Sequence, residues 1–189
     1  MSSPFSFVSL CSCRYPNIQS NAYHEHEAVE LICEVSDEHT KLCDLLLTER
    51  GEDLYRRINE QYVKWTLFAP NDAAFAEIED EFATLTEDEI ERMVLFHAIG
   101  EEADVPENYK LYDDLECTEE YEMLSGDNSR TKCIKNEEEG GIWEKYQKGG
   151  GNRKNDNLPK IIEADIKACN GVLHVLDAVM LPNFIDKFE

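Results

Sequence analysis

The stretch from Lys160 to Pro182, KIIEADIKACNGVLHVLDAVMLP, constrains the fold of this chain more than any other. Two apolar-rich runs flank Asn170-Gly171. Asn-Gly in that position signals a β-hairpin, because a type I′ turn needs positive φ at both central residues. A two-residue loop then sets the register. Ala168 is expected opposite Leu173, Ile166 opposite Val175 and Ala164 opposite Asp177. One face carries Ile162, Ala164, Ile166, Ala168, Leu173, Val175 and Val179, and should be buried. The other face is mixed and carries Glu163, Asp165, Lys167, Cys169, Val172, His174, Leu176 and Met180.

A second strand is expected at Val63 to Pro70, rich in β-branched and aromatic residues and closed by a proline that cannot donate to a ladder. Asn71-Asp72 should cap a helix carrying Ala74, Phe75 and Ile78. Thr86 and Glu89 form a capping box, with Leu85 and Ile90 at the staple positions. Ile90, Met93, Val94 and His97 mark the inner stripe of that helix, and Gly100 should end it. A histidine on such a stripe reads as a satisfied core residue. Upstream, Ala28, Leu31, Ile32 and Val35 recur at helical spacing, as do Leu42, Leu45 and Leu46. A short third helix is expected around Leu54, Tyr55 and Ile58.

Beyond Pro106, Leu111 to Leu115 and Cys117 to Leu124 alternate weakly, as strands do. Ser125 to Asn128 reads as a turn and Arg130 to Ile134 as the return strand. Residues 137–157, with three consecutive glycines, read as a long Gly-rich loop from which Ile142, Trp143 and Tyr146 touch the body. Residues 1–27 read as a tail or leader remnant, 28–184 as one domain and 185–189 as a short tail.

The formal net charge is -23, from 41 acidic and 18 basic side chains. Such a surface repels nucleic acid and anionic membranes. No run approaches the ~20 apolar residues of a membrane span. The N-terminus has a short apolar patch without a preceding basic residue, which makes a poor secretory signal. Seven cysteines in a chain of this size favour an oxidising compartment, and their spacing shows no paired CxxC knuckles for zinc. Cys33 and Cys43 lie on neighbouring elements and can bridge or remain buried thiols. Cys117 and Cys133 flank a hairpin-like unit, and Cys169 competes as a partner for either.

Catalytic and cofactor motifs are missing. There is no G-x-S-x-G elbow, no H-E-x-x-H, no EF-hand loop and no G-x-x-x-x-G-K-[ST] cradle. Cys169 and His174 share a hairpin face, but no third group or oxyanion donor accompanies them. Neither a metal nor a cofactor is expected, and the chain is not expected to be an enzyme.

Two segments together resemble the fasciclin domain family. WTLFAPNDAAFAEI (Trp65 to Ile78) is similar to its first signature block, and EADIKACNGVLHVLDAVMLP (Glu163 to Pro182) to its second. Leu95-Phe96-His97 stands where the family has a Tyr-His motif. The resemblance covers roughly Ala28 to Phe184. It implies an α+β module, a wedge of two β-sheets with about seven strands and several packed helices. It also implies an extracellular or cell-surface adhesion role, with a cell-surface or matrix protein or glycan as partner. The family's adhesion contacts would fall on Asp165-Ile166 and on Phe96-His97. The expected register buries Ile166 and leaves Asp165, Lys167 and His174 on the other face, so Lys167 and His174 join the candidates. The alternative is an acidic cation- or glycan-binding matrix protein.

Overall fold

The structure is a computed structural model that describes residues 27–48, 55, 63–102, 109–152 and 157–183. Helix α1 (Ala28–Glu30) runs into a π turn at Leu31–Val35 and is followed by α2 (Thr40–Leu46). Strand β1 (Val63–Pro70) leads to α3 (Asp72–Ala76), α4 (Glu79–Phe82), α5 (Glu87–Leu95) and β2 (Ala98–Glu102). Then come β3 (Glu120–Glu122), β4 (Asn128–Asn136), β5 (Ile142–Lys148), β6 (Ile161–Ala168) and β7 (Gly171–Leu176). Of the short helix expected around Leu54, Tyr55 and Ile58, only Tyr55 is described, and it is helical; the N-terminal segment through His26 and the last six residues lie outside the described residues.

The strands form two sheets. One has the order β2-β1-β7-β6, the other β3-β4-β5. β1 runs parallel to β7 and antiparallel to β2. A central strand is covered on both faces, so Trp65 to Pro70 is buried residue after residue, with Thr66 among them. Trp65, Leu67 and Ala69 point into a core shared with α1, α2, α3 and α5. Phe68 points the other way, into a second core with Phe96, Leu115, Tyr121, Met123, Leu176 and Met180, which lies between the sheets. The two sheets meet at a corner. Tyr146 of β5 bridges to Lys160, and the Lys160 ammonium lies 2.5 Å from the Glu144 carboxylate.

The capping box at α5 forms as its residues demand. Thr86 Oγ1 accepts from the Glu89 amide, and Glu89 accepts from the Thr86 amide at 2.7 Å. Asn71 caps α3 through the Ala74 amide. Asp72 does something else: its carboxylate accepts from the Thr40 and Lys41 amides, at 3.2 and 2.8 Å. It therefore caps α2, a helix far away in sequence.

Four expectations are corrected. Gly100 does not end α5, which stops at Leu95. It lies in β2 against the Trp65 indole, where a Cβ would come within 2.3 Å of the ring. Residues 111–115 form a turn, because the Asp114 carboxylate accepts from the Leu111 amide and folds the segment back. Within 137–157, Ile142–Lys148 is a full strand paired along β4, and its Ile142 and Trp143 are exposed rather than packed on the body.

The fourth correction concerns the hairpin itself. Ala168 pairs with Gly171, Ile166 with Leu173 and Glu163 with Val175. The turn is Cys169-Asn170, and Gly171 already opens β7. Asn170 does not take positive φ. It is buried, with its side-chain oxygen accepting from the Ala28 amide at 3.0 Å. Gly171 is required by close approach: a Cβ there would fall 2.0 Å from the Trp65 carbonyl oxygen. Two bulges then interrupt β6 on either side of Glu163. They flip Ala164 into the inter-sheet core and leave Ile162 exposed. β7 is buried along its whole length.

Candidate functional site

The bulge in β6 places two residues, Ala164 and Asp165, opposite His174 alone. Asp165 adopts φ 60°, the left-handed region that aspartate tolerates better than most residues. Its amide donates to His174 Nδ1 at 3.3 Å, and its carboxylate accepts from the Tyr112 amide at 2.7 Å. His174 Nε2 donates to the Lys110 carbonyl at 2.9 Å. The ring stacks on Phe68 at 5.6 Å between centroids. Since Nδ1 receives an N–H, the proton resides on Nε2 and the imidazole is neutral. Burial pushes its pKa down, partly opposed by the Lys110 carbonyl. His174 thus staples the bulge to the segment leading into the second sheet.

His97 is a second buried staple. Nδ1 donates to the Met93 carbonyl at 2.7 Å, and Nε2 accepts from the Met180 amide at 3.0 Å. This ties the end of α5 to the segment after β7. Burial pushes its pKa down to about 4. Phe96 is fully buried in the inter-sheet core. Gly149 packs against it so closely that a Cβ would lie 2.5 Å from its ring.

The sequence-derived contact residues therefore divide. Phe96, His97 and His174 are buried and offer no exposed contact surface, although His174 does lie on the hairpin face opposite Ile166. The reason is the second sheet, which covers the β7 face that local alternation left open. Asp165 and Lys167 are exposed, and Ile166 is half-buried against the helical core. Asp165 is exposed but already bonded to Tyr112.

Cys33 bonds Cys43 with Cα atoms 5.1 Å apart, and Cys117 bonds Cys133 at 5.5 Å. Cys169 is disulfide-bonded as well, to none of those four. It is no thiolate nucleophile, and His174 is not poised as its base. Among the described residues, no group of three or more His, Cys, Asp or Glu side chains could hold a metal ion, and no helix is long and apolar enough to cross a membrane.

A sequence model of the Fasciclin domain matches residues 38–182. The chain belongs to the fasciclin domain family. No curated protein sequence matches it. Among solved structures, it is similar to a FAS1 domain pair from the insect cell adhesion molecule fasciclin I, with a TM-score of 0.62 at 13% identity. That alignment covers 84% of this chain and 51% of the other, so this fasciclin domain spans about half of that two-domain chain. At this identity the likeness is one of fold: two sheets of four and three strands with helices packed on the larger.

Proposed function

We propose that this fasciclin domain is a non-enzymatic adhesion or matrix-interaction module working outside the cell. The observation that carries the reading is the state of the reactive side chains. Cys33, Cys43, Cys117, Cys133 and Cys169 are all oxidised, and His97 and His174 are neutral, buried structural staples. Among the described residues no set of reactive side chains converges, and the family fold is the one found in an insect cell adhesion molecule. Disulfides persist in oxidising compartments, which supports an extracellular or cell-surface setting. The exposed edge of β6, with Asp165, Ile166 and Lys167, is a candidate contact for a cell-surface or matrix protein or glycan.

Mass spectrometry of the secreted, non-reduced protein tests the setting, with five or more oxidised cysteines as the supporting result and seven free thiols as the opposing one. Binding to immobilised matrix tests the role. An Asp165→Ala/Lys167→Ala double variant that binds as tightly as the wild type would remove the β6 edge from the contact. A second reading is favoured by the net charge of -23: an acidic matrix protein that gathers cations or glycans. Calcium titration separates the two, because a specific site raises the melting temperature with ligand concentration.

A further inference from the structure

Resting on the adhesion reading, we propose that the tip of the β4–β5 hairpin is a docking surface for a protein partner that presents an apolar pocket rimmed by lysine or arginine. Ile142 and Trp143 open β5 and are 59% and 60% exposed. As consecutive strand residues they point to opposite faces, so the tip offers apolar surface on both sides. An exposed tryptophan beside an exposed isoleucine is costly to leave in water, and tryptophan is the side chain most enriched among residues that dominate binding energy.

The tip is held by its own hydrogen bonds. The Asn136 side-chain oxygen accepts from the Glu138 and Glu139 amides at 3.1 and 3.2 Å. Its amide nitrogen donates to Glu144 at 2.9 Å, and its backbone carbonyl accepts from Gly141. Gly140 and Gly141 both take the left-handed backbone, at φ 78° and 80°. A loop ordered in this way pays little entropy on binding.

The electrostatics select the partner. Glu137, Glu138 and Glu139 are all exposed at the loop, with Lys135 paired to Glu137 at 2.7 Å. The loop at the tip is therefore acidic, while the strands beneath it carry Arg130, Lys132, Lys135, Lys145 and Lys148, with Lys135 across from Trp143. Anionic polysaccharide and anionic lipid are repelled by the loop. A neutral glycan can stack on the indole and donate hydroxyls to the carboxylates, but it makes no use of Ile142 on the opposite face. A basic-rimmed apolar pocket uses all of these groups.

The test uses the full-length, oxidised protein on a surface coated with extracellular-matrix extract. Trp143→Ala should weaken binding roughly tenfold or more. Glu138→Lys/Glu139→Lys should also weaken it and flatten its dependence on salt. Both should melt like the wild type, since these side chains are exposed. Replacing Trp143 by p-benzoylphenylalanine should give photocrosslinks that map to an apolar protein segment flanked by Lys or Arg. Wild-type binding that Trp143→Ala leaves unchanged overturns the docking surface while sparing the adhesion reading. No wild-type binding overturns both. Crosslinks only to copies of this chain, crosslinks to acidic segments, no crosslinks, or binding abolished by glycan digestion each overturn the proposed partner.

Discussion

At the scale of single residues, the two histidines carry most of the consequences. His97 is neutral because its Nε2 accepts an amide proton from Met180, and protonation would set two donors against each other. Its folded pKa is about 4, against an ordinary value of 6.5. The unfolded chain therefore binds the proton first as pH falls. The stabilisation is complete above pH 6.5 and is lost progressively between that value and about 4, amounting to roughly 3 kcal/mol. His174, also depressed by burial, acts with the same sign. Denaturant melts at pH 7.5 and 5 should show the wild type losing stability on acidification. A His97→Gln variant, weaker at pH 7.5, should lose less. Gly171 is the other decisive residue. Gly171→Ala would drive a Cβ to 2.0 Å from the Trp65 carbonyl and part β7 from β1. We expect a loss of about 4 kcal/mol or more, seen as a collapse of the soluble, cooperatively melting fraction.

At the scale of elements, local chemistry and long-range packing had different legibility. The capping box at Thr86 was readable because both partners lie within one turn of helix. Thr86→Ala should cost about 1 kcal/mol in a chemical melt and leave the fold intact. Strand β1 was readable from composition alone. β5 was not: its sequence IWEKYQK has one short apolar stretch, and its pairing comes from β4 and from the Tyr146 bridge to Lys160. The second signature hairpin was located correctly, but its register differs from the expected one. Asn170-Gly171 has the composition of a type I′ turn, yet Asn170 serves α1 and Gly171 serves β1. Both demands come from outside the hairpin, so no local rule could find them. The bulge at Asp165 follows the same logic. Its aspartate answers to Tyr112 and His174, and only the assembled sheets bring those together.

At the scale of the whole molecule, the family fold was legible because both signature blocks lie on adjacent parallel strands, β1 and β7. The burial of His97 was legible from its place on the inner apolar stripe, whereas that of Phe96 and His174 was not, since the second sheet closes over them. The disulfides act at this scale too. Cys117–Cys133 closes the connection from the turn segment into β4, with a sequence separation of 16. Replacing both by alanine should lower stability by about 3 kcal/mol in the chain-entropy view, measured under non-reducing conditions. The proposed adhesion role has this oxidised module engage a partner through its surface. The most direct measurement is equilibrium binding of the oxidised full-length chain to immobilised extracellular matrix. Saturable binding that weakens as salt rises is expected; retention no greater than that of the reduced, unfolded chain would refute the role.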